Sequence, residues 1–222
     1  MPDTPSAPRR GPRADGEATR QRILQTAGEL FAERGYADTT SKAICEQANC
    51  NMAAVNYHFG SRDGLYREVL KQLHKYLISL DHLEQLTRSE HSAEERLGAL
   101  IDALTLNVTH SEHWQTRLWA RELLSPTPFL SELIDQEAMP KVRLVLALLS
   151  EITGIVIDDP ALLRCLLSVI APYLTMLVVS RDIPSPLRGL YQQPAESLAR
   201  HLRCFVLAGL RAVAEAYRRG EM

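Results

Sequence analysis

The stretch from Thr39 to Leu65, TTSKAICEQANCNMAAVNYHFGSRDGL, constrains the fold more than any other part of the chain. It predicts a short helix, a turn, a second short helix and the opening of a longer one. Thr40 or Ser41 can cap the first helix, because a hydroxyl accepts a hydrogen bond from a free N–H of the first turn. The apolar face of that helix is Ala43, Ile44 and Ala48. Asn49 suits the turn, since asparagine tolerates a left-handed backbone. Asn51 is placed to cap the second helix, Met52 to Phe59, where Val55 and Phe59 lie four apart on one face and can pin it to its neighbours. The other face carries Ala53, Ala54, Tyr57 and His58, with Asn56 at its flank. Small residues let a backbone approach another surface closely, and an amide, a phenol and an imidazole can hydrogen-bond base edges or phosphates. A recognition helix in a DNA major groove has this make-up.

Thr40-Ser41-Lys42, the spacing to Asn51, and Asn56-Tyr57-His58-Phe59-Gly60-Ser61-Arg62 resemble the signature of the TetR (tetracycline-repressor) family of bacterial transcriptional regulators. The resemblance runs from about Thr19 to Tyr76. It takes in an upstream helix with Ile23, Leu24, Ala27, Leu30 and Phe31 leading into Glu33-Arg34-Gly35-Tyr36. Two positions depart from the family pattern. Arg62 stands where the family often has lysine, which keeps the charge, and Asn56 stands where it often has tyrosine, which alters the contact surface.

Position suggests a DNA role for each residue. Thr40 and Ser41 sit at a helix N-terminus, where hydroxyls and free N–H groups can bind a phosphate. Lys42 can reach a phosphate or a base edge. Asn51, Met52, Ala53 and Ala54 form the leading end of the recognition helix. Asn56 reads a base, caps, or contacts a phosphate; Tyr57 and His58 clamp the backbone; Arg62 anchors the next helix to a phosphate. The plainer alternative for each is a solvated surface residue, and for His58 a hydrogen-bonded core histidine.

A chain of 222 residues can bury a substantial core. The expected organisation is a disordered arm over residues 1–16, a helix-turn-helix domain over 17–64 and a larger helical domain over 65–222. Residues 1–16 are rich in Pro and Gly and carry Arg9, Arg10 and Arg13, so they read as an unstructured extension or an arm touching phosphates or a minor groove. The net charge is −2, but residues 1–75 hold 11 Lys and Arg against 9 Asp and Glu, leaving 14 against 18 in the remainder. The asymmetry has the sign expected of a DNA reader and is small, so local placement must carry the argument. The N-terminus lacks the apolar core of a signal peptide, which points to a cytoplasmic protein. The run from Leu162 to Val179 is interrupted by Arg164 and Pro172 and is not expected to span a membrane. The cysteines, at 45, 50, 165 and 204, lack metal spacing; Cys45 and Cys50 read as packed thiols, with a redox pair as the alternative.

Beyond this head the periodicity is helical throughout, and the fold class is all-α. Thr19 to Arg34 is expected to form the first helix, ended by Gly35. Ser61 should cap a long fourth helix carrying Leu65, Val69, Leu73, Leu77 and Leu80 to about His82; it is either a lever between head and remainder or simply a long packed helix. Ser92-Ala93-Glu94-Glu95 is a capping box opening a helix through Val108. Further helices are expected from His113 to Leu124, from Phe129 to Ile152 with a break or kink at Pro140, from Asp159 to about Ser180, and from Pro194 to about Arg219. A proline-punctuated loop over Ile183 to Gln193 precedes the last of these.

The last two helices carry wide apolar stripes. Leu162, Leu166, Val169, Tyr173 and Met176 are broadened by Leu167, Ile170, Leu174 and Leu177; Leu198, Leu202, Phe205, Leu210 and Val213 line the other. Such width exceeds the need of one layer, and part should be covered by a second subunit. The family resemblance implies a four-helix dimer interface here, and two-fold symmetry suits a palindromic double-stranded DNA operator. It also implies a pocket for a small hydrophobic effector among the middle helices. Candidate lining residues are His110, Trp114, Arg117, Arg121, Phe129, Met139, Tyr173 and Met176, with Trp119 and Glu122 nearby; they equally describe an ordinary core. Arg121-Glu122 followed by Ser125-Pro126-Thr127-Pro128 resembles the C-terminal domain of the CecR-type branch, whose members are associated with transporter and drug-sensitivity genes.

The expected function is therefore a ligand-responsive, homodimeric DNA-binding repressor with no cofactor and no metal. A DNA-binding regulator controlled by a protein partner is the alternative. A helical enzyme is the remote one, because the chain has no HExxH, paired-carboxylate, phosphate-loop or nucleophile motif.

Overall fold

The computed structural model describes residues 12–111, 113–179 and 186–221, and among them there is no β-strand. Arg9 and Arg10, expected in a disordered arm, lie outside the described residues. The chain divides into two compact units, the first reaching Val69 and the second running from Leu70.

The first unit begins with α1 (Pro12–Arg34). This helix starts inside the segment 1–16 that composition assigns to an arm. Pro12 at its head and Asp15 in its first turn are both favourable there, since proline loses no needed N–H and a carboxylate complements the helix dipole. Gly35 ends it at φ +83°. Then come α2 (Ser41–Gln47) and α3 (Met52–Phe59), with Asn49 between them at φ +48° as its side chain allows. Ile23, Leu24, Leu30, Phe31, Ile44, Val55, Leu65 and Tyr66 are almost fully buried and make the core of this unit. Phe31 and Tyr66 meet edge to face at 4.6 Å.

Next is α4 (Arg62–Leu77), capped by Ser61, whose hydroxyl accepts the Gly64 N–H at 3.0 Å. The sequence suggested one helix to about His82. Instead the chain breaks after Leu77, and Ser79 caps a separate α5 (Leu80–Thr87) by accepting the His82 N–H. The apolar spacing is continuous across the break; the side-chain cap ends one helix and starts the next.

In the second unit α6 (Ala93–His110) opens on the full Ser92–Glu95 capping box, and α7 (His113–Leu124) follows. The helix expected over Phe129 to Ile152 is divided. It becomes α8 (Pro128–Leu133), a single π-turn over Ile134–Ala138, and α9 (Met139–Thr153). Pro140 lacks the N–H that would continue the ladder, and widening the preceding turn keeps the chain helical. Asp159 caps α10 (Pro160–Val178), and a 3₁₀ turn over Pro186–Gln192 leads to α11 (Ala195–Arg218). The expected end of α10 at Ser180 and the loop start at Ile183 lie outside the described residues.

Helix α11 packs on α6 and α9, while α10 packs on α6, α7 and α9. Contrary to the sequence reading, α10 is long and apolar enough by length and composition to cross a membrane. Its packing explains the composition, because Leu162, Val169, Tyr173, Met176 and Leu177 are buried inside the unit.

Candidate nucleic-acid interface and ligand cavity

In the first unit, side-chain caps define the ends of α2 and α3. Thr40 Oγ1 accepts the Ala43 N–H at 3.1 Å, and Asn51 Oδ1 accepts the Ala54 N–H at 2.9 Å. Arg22 on α1 donates to the carbonyl of Ala48 at 2.8 Å, satisfying the end of α2. Thr39, fully buried, donates to the Gly35 carbonyl at 2.7 Å. Arg20 pairs with Glu68 at 2.8 Å and sits over the Phe59 ring at 5.4 Å, bracing α1 against both α3 and α4.

Buried Val55 and Phe59 hold α3 in place and turn its opposite side outward. Asn51, Met52, Ala53 and Asn56 are exposed, and Tyr57 is 85% exposed. Ala54 is half-buried, as is His58, whose ring meets Tyr57 edge to face at 5.0 Å. Thr40 and Lys42 are exposed and Ser41 half-buried; the Lys42 ammonium lies 3.8 Å from Glu46. An exposed phenol with amides and small residues beside it on a braced helix is a surface ready for polar contact.

Arg62 has an internal task that its sequence position did not reveal. Its guanidinium donates to the Thr39 carbonyl at 3.0 Å and lies 4.3 Å from the Tyr36 ring centre. The Tyr36 hydroxyl donates to Asp63 at 2.5 Å; burial first, then that carboxylate, pushes the phenol's pKa up. Cys45 and Cys50 are free thiols, and burial followed by Cys45 raises Cys50. A raised thiol is a poor nucleophile, which favours packed cysteines over a redox pair.

Two further features belong to the second unit. Leu163, Leu167 and Leu174 on α10 and Phe205 on α11 are exposed, Phe205 by 73%. They accompany a trough of about 300 Å³ lined by Cys165, Val169, Val206, Gly209 and Leu210 among others. Separately, a cavity of about 380 Å³ opens among α4, α5, α6, α7, α8, the π-turn, α9 and α10. Leucine, isoleucine and valine side chains form most of its wall, with His74, Trp119, Lys141 and Tyr173 as the polar exceptions.

Comparison with known proteins bears on both units. Residues 23–69 match the family described as bacterial regulatory proteins, tetR family. Residues 93–213, more than half of the chain, match the C-terminal domain of the HTH-type transcriptional dual regulator CecR. The chain belongs to the TetR family. An HTH-type transcriptional repressor of Mycobacterium tuberculosis is 35% identical over 101 residues, covering 46% of this chain and 54% of the relative. The biofilm operon icaADBC HTH-type negative transcriptional regulator IcaR of Staphylococcus aureus is 26% identical over 117 residues, covering 53% of this chain and 60% of its own length. The chain thus spans little more than half the length of the curated relatives it matches. A TetR-like transcriptional regulator from Rhodococcus shares the fold at a TM-score of 0.65 with 18% identity, covering 90% of this chain and 98% of that one. These relatives are transcriptional regulators rather than enzymes.

Within this TetR-family chain, the cavity gathers few of the effector residues expected from sequence. Tyr173 lines it. Its hydroxyl is committed to the Ile101 carbonyl at 3.2 Å, and burial pushes its pKa up to about 12. Met176 is buried, but neither it nor Trp114 or Phe129 is in the wall. His110, Arg117, Arg121 and Met139 are exposed and also lie outside the wall. For Trp114, Arg117 and Arg121 the reason is the rotation of α7, which turns Leu118, Trp119 and Glu122 inward. Glu122 itself accepts the Thr127 N–H at 3.2 Å and hydroxyl at 3.0 Å, closing the turn into α8.

The sequence reading missed His74 and Lys141. A signal was present: His74 sits within the Leu70, Leu73, Leu77 stripe, and Lys141 precedes Val145 and Leu148 at four and seven residues. A charged or titratable group in phase with an apolar stripe is buried with it.

Proposed function

We propose that the protein is a homodimeric DNA-binding repressor that acts in the cytoplasm and is released from a palindromic operator by a small hydrophobic effector. The observation that carries the DNA reading is the outward face of α3. Asn51, Met52, Ala53, Asn56 and Tyr57 stand exposed on a short helix capped at its start and braced from behind. In this reading Ala53 and Ala54 allow close approach to the groove and Asn56 contacts a base. Tyr57, His58, Thr40, Ser41 and Lys42 hold the backbone. Arg62 has guanidinium N–H groups beyond the one bound to Thr39 and adds a phosphate contact from its braced position.

Dimerisation through α10 and α11 is supported by exposed Leu163, Leu167 and Phe205, which a second copy of the same face would cover. Effector control is supported by the apolar cavity, whose size falls in the range of ligand pockets. It favours a small molecule over a protein partner as the signal. Binding would shift the population toward a conformation with mis-spaced reader heads, lowering operator affinity by the effector's differential binding energy, about 1–3 kcal/mol in allosteric systems. The relation to the CecR-type domain makes transporter or drug-sensitivity genes the expected targets.

The test is a gel shift of the full chain on the DNA upstream of its own coding sequence, repeated with hydrophobic compounds. A shifted band lost on adding a compound supports the whole reading. A shift that no compound releases removes the effector, and no shift at all removes the DNA function.

A further inference from the structure

The cavity in the second unit has a chemistry more specific than "hydrophobic", and this inference rests on its being the effector site. Lys141 is only 5% exposed, and its ammonium lies 2.8 Å from Nδ1 of His74. An ammonium can only donate, so Nδ1 accepts, and the neutral imidazole carries its proton on Nε2. Burial first, then the charge on Lys141, lowers the His74 pKa to about 4, so the ring is neutral at physiological pH. Burial also lowers Lys141, to about 8, which leaves it largely charged there. Among the described residues no carboxylate lies within ion-pairing distance of that ammonium. Glu137, one turn earlier, favours its charge from further away, and Lys75 opposes it.

The same end of the cavity holds Trp119, 8% exposed, with its ring 5.9 Å from that of His74. Its indole Nε1–H is the one buried side-chain nitrogen or oxygen among the described residues without a hydrogen-bond partner. A buried donor without an acceptor and a buried cation without an anion are each costly. Here both line one apolar space, and what they offer is of one kind: an N–H donor and a positive charge.

We propose that the cavity binds a monocarboxylate with an apolar body, its carboxylate held by the Lys141 ammonium and the Trp119 indole N–H. The body lies along Leu77, Leu104, Val145 and Leu166, which line the rest of the space. A carboxylate supplies the missing charge and the missing acceptor together, and two oxygens can serve two donors at once. At about 380 Å³ the cavity is near the lower end of ligand-pocket sizes, about 300–1,000 Å³, which selects a compact or medium-length acid over a long lipid.

The experiment is calorimetric titration of the full chain with three probes of one chain length: decanoate, decanol and decylamine. Decanoate is expected to bind about ten- to a hundredfold more tightly than decanol, the range for a hydrogen bond to a charged group, and decylamine more weakly than decanol. In Lys141→Met, which keeps the volume and removes the charge, decanoate falls to the level of decanol while decanol binding persists, reporting an intact fold. Trp119→Phe narrows the difference without erasing it. Equal binding of acid and alcohol, or a preference for acid that survives Lys141→Met, overturns the carboxylate assignment and leaves the effector cavity standing. Binding by none of the three overturns both.

Discussion

The braced head of the first unit and the cavity of the second differ in what their polar side chains leave unmade. In the first, Thr39, Arg20, Arg22, Arg62 and Tyr36 each have a stated partner, and those bonds tie α1 to α2, α3 and α4. In the second, Lys141 is buried against a neutral imidazole and Trp119 has an unused donor. A satisfied network holds a contact surface in one geometry, whereas a buried donor without an acceptor costs stability until a partner meets it. The head is finished as it stands; in the proposed reading an effector completes the cavity.

The largest expected effect tests the finished half. A Cβ on Gly64 would fall 2.0 Å from the Phe59 carbonyl oxygen, backbone against backbone. Gly64→Ala should therefore force α3 and α4 apart at about 3 kcal/mol and abolish operator binding, read by denaturant unfolding and gel shift. Wild-type stability in that variant would show the head to be less tightly determined than its bonds imply.

Acid tests the unfinished half. The unfolded chain protonates His74 near its ordinary 6.5 and the folded chain near 4, so the unfolded state binds the proton first as pH falls. Stability should drop by about 2–3 kcal/mol between those values, and His74→Gln should flatten that part of the profile. An unaltered profile in the variant would assign the loss to other groups.

A smaller effect concerns the apolar face of α10 and α11. Phe205→Glu should weaken self-association by about 2 kcal/mol, seen as a monomer in sedimentation at concentrations where the parent is dimeric. The smallest belongs to Lys42, exposed and only loosely paired with Glu46. Lys42→Ala should weaken operator binding across all sequences and flatten its salt dependence by about one unit. An unchanged slope would take Lys42 out of the interface.

Much of the head could be read from residues alone, because its determinants are local. Thr40, Asn49, Asn51, Ser61 and Gly35 each act within four positions of themselves, and each does what its chemistry suggests. The cavity was harder to foresee. Arg117 and Arg121 seemed good anchors because they are polar within an apolar helix, but the rotation of α7 against its neighbours points them outward. His74 and Lys141 are 67 positions apart in the chain, and nothing local brings them together.

The chain's own order of residues thus determined the helices, their caps and the outward face of α3, since hydrogen bonds to the first turn and a four-residue apolar spacing need no distant partner. Tertiary packing decided the rest. It set an apolar helix, long enough for a bilayer, into a helical core, and it joined a lysine, a histidine and an indole around one space. Burial is a property of neighbours brought from far along the chain, and the chemistry of a buried charge depends on what those neighbours leave unpaired.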